Sequence, residues 1–176
     1  MKKQLWIVLI LAVAVAGSSV LTLFAAPALS KGDQKFLMEA ANGGMMEVQL
    51  GQLAQAKAQS PEVKKFGARM VTDHGKGGEE LKALAQQKGV SLPAQMEGRQ
   101  KPDLVKLTNL TGGDFDRVYI SVMVKDHIKD VADFRRATTN VKDSDLNAWA
   151  VKTLPVLERH LQMANELAQK LGIKSK

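Results

Sequence analysis

The chain has 176 residues, 45% of them apolar, no cysteine and a formal net charge of +7. The length suits one domain with its own core, and the missing cysteines exclude disulfides, so that core alone must hold the fold. Ala, Leu, Lys, Gln and Glu dominate, and no segment alternates apolar and polar residues for the length of a strand. That pattern excludes a β architecture and predicts an all-α chain.

Two lysines, Lys2 and Lys3, precede an uncharged run from Leu5 to Ala28 that ends in "AAPA". Ala26 and Ala28 fit the small-x-small pattern of signal peptidase, which predicts a signal peptide over residues 1–28 and an exported, periplasmic or envelope-associated domain. The run is also long enough to span a bilayer, so an uncleaved N-terminal anchor is the second reading. Lipoprotein attachment is excluded because no cysteine follows. Removing Lys2 and Lys3 lowers the formal charge from +7 to +5. This balance suits peripheral contact with an anionic envelope surface. The charges are scattered without a basic cluster or interleaved aromatics, which argues against a nucleic-acid partner.

Helix-forming segments follow over residues 33–171. The first is expected from Asp33 to Gln59. The second starts at an N-cap, Ser60, with Pro61 in its first turn, and stops near Lys88 before Gly89. With only a Ser-Pro corner between them, the two must form an antiparallel hairpin. Residues 90–113 carry Pro93, Gly98, Pro102 and "TGG", and read as a link holding a short helix over 103–110. A third long helix is expected over 114–139. A fourth runs from the "DSD" cap at 143–145 to Leu171, with Pro155 facing outward. Together they predict a four-helix bundle with rods of about 40 Å.

The chain writes MV-x-DH twice, at 70–74 and 123–127, and it has three histidines in all. On helical wheels His74 lies within the stripe of Val63, Gly67, Met70, Leu81 and Ala85. His127 lies within Ile120, Met123, Val131 and Phe134, and His160 within Leu146, Thr153, Leu157, Ala164 and Leu171. The first helix has no histidine, but Glu47 interrupts its stripe of Phe36, Ala40, Leu50 and Ala54. A lone buried carboxylate is costly without a partner. All four residues sit near mid-helix, so they are expected to meet in one layer whichever way the chain runs.

Three imidazoles and one carboxylate, each from a separate rod, are a ligand set for one transition-metal ion such as Zn, Fe, Mn or Cu. The other reading is a purely structural polar layer that fixes helix register. Gly43, Gly44, Gly77 and Gly78 flank the layer, either to bring helices close or to leave a cavity beside an open metal position. Met70 and Met123 would suit copper, although core filling is the ordinary role at this spacing. Asp73 and Asp126 are turned about 100° from the adjacent histidines and read as surface charges, with orienting a neighbour's ring as the second reading. Tyr119 is expected in the core with its hydroxyl bonded, and Trp149 packs near one end. The 90–113 link is a third candidate, as a contact surface.

The segments "FLMEAANGGMMEVQLGQLAQAKAQSPEVKKFGARMVTDH", "LTGGDFDRVYISVMVKDH" and "LPVLERHL" resemble the domain-of-unknown-function 4142 family of exported bacterial proteins over residues 33–171. The resemblance implies a ferritin-like four-helix bundle with Glu47, His74, His127 and His160 as signature polar positions. It implies no activity. The Glu-x-x-His pairs of di-iron bundles are missing: Glu158-x-His160 has the wrong spacing. A mononuclear site suits these residues better.

Overall fold

The computed structural model describes residues 28–95 and 101–173. Apart from Ala28, the expected signal segment lies outside the described residues. Five helices follow in order: α1 (Lys31–Lys57), α2 (Pro61–Gln87), α3 (Lys101–Thr108), α4 (Gly112–Asn140) and α5 (Ser144–Lys170). Among the described residues no strand forms beyond one isolated bridge between Ala58 and Gly112. None of these helices is long and apolar enough to cross a membrane.

The helix ends show where the sequence reading slipped. α1 starts two residues before the expected Asp33 because Ser30 is its N-cap: the Ser30 hydroxyl accepts the Asp33 amide at 3.1 Å. That frees the Asp33 carboxylate, which is buried and accepts the amides of Lys142 and Asp143 at the α4–α5 corner, both at 3.2 Å. Asp116 near the start of α4 does the same for the α1–α2 corner. Its two oxygens accept the Gln59 and Ser60 amides at 3.0 and 2.8 Å, which ends α1 at Lys57. Each hairpin thus satisfies the orphan backbone donors of the other's turn. Lys88 adds a clasp, its ammonium 2.7 Å from both Asp143 and Asp145.

These clasps set the topology. The start of α1 meets the end of α4, and the end of α1 meets the start of α4, so the two run antiparallel. α2 and α5 complete a ring in the order α1, α2, α5, α4, with every neighbour antiparallel. Pro155 is exposed, as expected for a proline tolerated inside α5. The 90–113 link is not a free contact surface throughout: α3 inserts Leu107, fully buried, into the main core.

Two regions of core result. Near the α1–α2 corner, Leu50, Ala54, Phe66, Met70, Phe115, Tyr119, Ile120 and Met123 form a closely filled cluster. Phe115 stacks on Tyr119 at 5.6 Å, and Phe66 meets the same ring edge-on at 6.2 Å. Helices α1 and α2 come closest at Gly51 and Gly67. A Cβ on Gly51 would stand 2.6 Å from the Gly67 carbonyl oxygen, and one on Gly67 would stand 2.6 Å from the Ala54 Cβ. The closest approach therefore belongs to this pair, not to Gly43, Gly44, Gly77 and Gly78. Toward the α4–α5 corner the buried line of α1 runs through Leu37 and Ala41, leaving Phe36 and Ala40 half-buried. There Phe36, Phe134 and Trp149 pack ring against ring.

Candidate metal centre

The boundary between these two regions is where the polar layer lies. The structure brings His74, His127 and His160 together, with ring centroids 5.1 to 5.7 Å apart. One nitrogen from each ring lies within 4.8 Å of the other two. His127 and His160 are buried, and His74 keeps a side-chain exposure of 10%. Glu47, 1% exposed, stands against two of the rings. Its Oε2 is 2.8 Å from His74 Nδ1 and its Oε1 is 3.2 Å from His127 Nε2. At 3.2 Å the second pair is close, yet both atoms remain without a hydrogen-bond partner.

Each imidazole is held at one nitrogen by an oxygen and leaves the other bare. His127 Nδ1–H donates to the Met123 carbonyl one turn back, at 2.9 Å. His160 Nε2 faces Asp73 Oδ2 at 2.9 Å. His74 Nδ1 faces Glu47. The remaining atoms, His74 Nε2, His127 Nε2 and His160 Nδ1, are buried with no partner among the described residues. A carbonyl can only accept, so His127 carries its proton on Nδ1 and turns the Nε2 lone pair inward. Oxygen acceptors behind the outer nitrogens are what orient metal-ligating histidines elsewhere.

Electrostatics keep the rings uncharged. Burial lowers His74 to about 4, against the pull of Asp73 and Asp126. Burial likewise lowers His160 to about 4, with the Asp73 hydrogen bond opposing it. His127 is lowered by burial despite Glu47. Burial raises Glu47 to about 8, only partly offset by His127. At neutral pH the rings are therefore in the neutral form that ligates metals, while Glu47 retains a proton.

Beside the layer lies a cleft of about 1110 Å³, walled by Gly43, Gly44, Gly75, Gly77 and Gly78 and reaching Glu47, His74 and His160. A Cβ at Gly44, Gly75, Gly77 or Gly78 would meet nothing within 4 Å, so these glycines leave open space. Although the chain is basic overall, the cleft is lined by Glu39, Glu47, Asp73, Glu79, Asp130 and Asp133 against Lys82 and Lys129. Such a lining concentrates cations and repels anions.

Asp73 is not a surface charge: it takes the second reading and holds the ring of a histidine from another helix. Sequence reasoning missed how Asp126 and Asp130 are placed. Asp126 and Asp130 group with Glu47, one carboxylate oxygen of each lying within 4.8 Å of the others. The one available signal was the i, i+4 spacing of the two aspartates around His127. Tyr119 also departs from expectation: its ring is buried, but its hydroxyl has no partner among the described residues. Met70 and Met123 are fully buried in the filled core, as their ordinary role predicts.

The family model described as "Domain of unknown function (DUF4142)" matches residues 19–167. The chain belongs to this family. Its fold, with the four long helices expected and a short fifth, is shared with helical proteins already solved. A DUF305 fragment from Deinococcus radiodurans superposes with a TM-score of 0.71 at 11% identity, covering 81% of this chain and 99% of that one. CopM in a Cu(I)-bound form superposes with a TM-score of 0.68 at 22% identity, covering 78% and 96%. CopM co-crystallised in an Ag-bound form gives 0.65 at 21% identity, covering 78% and 96%. At these identities the likeness establishes fold alone. No curated protein sequence matches the chain.

Proposed function

We propose that this chain is an exported metal-handling protein of the cell envelope that holds one transition-metal ion through His74, His127 and His160, with Glu47 beside it. The supporting observation is the set of three bare, buried ring nitrogens, each on an imidazole anchored from behind. A buried polar atom without a partner costs about 1–3 kcal/mol. A layer that served packing alone would be expected to satisfy its own nitrogens; this one leaves all three unsatisfied at one point. Bound metal would supply either storage or a redox centre for defence against oxidants, while the chain's own residues orient the rings and exclude bulk water. The acidic cleft suits entry of a cation.

Imidazole donors suit Zn, Cu, Fe and Ni. CopM, with the same fold, has been solved with copper and with silver, and copper is accordingly the first ion to try. Export is supported by the small-x-small site at Ala26 and Ala28. Cleavage after Ala28 would retain Leu29, which packs in the core, and the Ser30 cap of α1. The test is plasma mass spectrometry of purified protein and of a His74→Ala variant. One equivalent of metal in the wild type, lost in the variant, supports the reading. Metal-free wild type that stays stable in chelator and takes up no added ion refutes it.

A further inference from the structure

Glu47 also belongs to a group with different chemistry. Asp126 and Asp130 stand one turn apart on α4, and Glu47 reaches them from α1. Glu47 comes from a separate helix and is almost wholly buried, yet its Oε1, 3.2 Å from His127 Nε2, has no hydrogen-bond partner. The buried Oδ2 of Asp126 has none either. Lys129, adjacent to Asp130 in sequence, commits its ammonium to Asp133 at 2.6 Å. On the α1 side Gly43 leaves room, since a Cβ there would be 3.9 Å from Asp130 Oδ2. Asp130 and Glu47 both line the cleft, which gives a cation a route in.

We propose that Glu47, Asp126 and Asp130 form a second cation site, taking an oxygen-preferring divalent ion of the Mn²⁺ class, next to the histidine site. Three acidic groups this close cannot all ionise without a cation between them, and oxygens that lack donors gain most from an ion. All-oxygen donors select Mn²⁺, Mg²⁺ or Ca²⁺, whereas the three imidazoles select later transition metals. The two sites would then hold unlike ions, with Glu47 standing between them, one oxygen 2.8 Å from His74 Nδ1. The inference shares Glu47 with the function proposed above, but its donor set is separate.

Electron paramagnetic resonance of Mn²⁺ tests it, because bound Mn²⁺ loses the sharp six-line signal of the free ion. The full chain is first given one equivalent of Zn²⁺, and Mn²⁺ is then titrated in. The expected result is one further Mn²⁺ per chain. In Asp126→Asn and in Asp130→Asn its affinity should fall at least about tenfold while Zn²⁺ stoichiometry stays at one. Wild-type protein that takes up Zn²⁺ but no Mn²⁺ at millimolar concentration overturns this inference and leaves the histidine site standing. Mn²⁺ uptake without Zn²⁺ uptake does the reverse. Variants that bind Mn²⁺ as tightly as wild type also overturn it. Circular dichroism confirms that each variant is folded, and where one is not, the wild-type titration decides.

Discussion

The two halves of the bundle use glycine in opposite ways. Near the α1–α2 corner, Gly51 and Gly67 bring two backbones into contact, and large side chains fill the space around them. Toward the α4–α5 corner, Gly44, Gly75, Gly77 and Gly78 touch nothing, and the space they leave is the cleft beside the histidines. The filled half supplies rigidity and the open half supplies access. Mid-bundle, where they meet, ring nitrogens can be both held in place and reached by an ion.

Substitutions at these glycines test the contrast directly. Gly51→Ala forces a Cβ against a backbone carbonyl that cannot rotate away, and should cost about 1–3 kcal/mol in urea unfolding, as overpacking does. A neutral result would mean that the helices can separate there without penalty. The open half should respond with the opposite sign. Gly77→Ala adds a methyl group to empty space and removes glycine's helix cost, so it should stabilise by up to about 1 kcal/mol. Loss of stability would show that the cleft is closed in solution.

The layer between the halves should respond to pH. Glu47 is raised to about 8 by burial, whereas His74 and His160 are lowered to about 4. For His74 to offer Nε2 to a metal, its proton must sit on Nδ1, and Glu47 facing it must be ionised. Metal uptake therefore releases the Glu47 proton. Affinity should rise about tenfold per pH unit up to about pH 8 and level off above it. Calorimetry in buffers of different ionisation enthalpy counts the protons, and a pH-independent affinity between 6 and 8 would remove Glu47 from the site. The smallest effect belongs to the exposed Lys152–Glu80 pair at 2.8 Å. Lys152→Ala should change stability by less than about 1 kcal/mol.

Much of this was legible in the sequence because a helix fixes direction. Wheel positions placed all three histidines and Glu47 on inward faces, and their mid-helix heights brought them together once every neighbour ran antiparallel. What escaped reading depends on how one helix is rotated against another. Asp73 is turned away from His74, and only the packing of α5 against α2 shows that the ring it meets is His160. Asp130 gains meaning only when α1 places Glu47 opposite. The glycines near the layer were read as a choice between close approach and a cavity. Local rules could not decide, since what faces a missing Cβ is a property of the neighbouring rod. The ends of α1 moved for a similar reason: Asp33 and Asp116 serve turns more than 50 residues away in sequence.

X-ray absorption at the metal edge of copper- or zinc-loaded protein tests the central claim most directly. The account predicts a nitrogen-dominated shell with the outer-shell scattering pattern of three imidazoles. A shell dominated by sulfur from Met70 or Met123, or one without imidazole scattering, would contradict it.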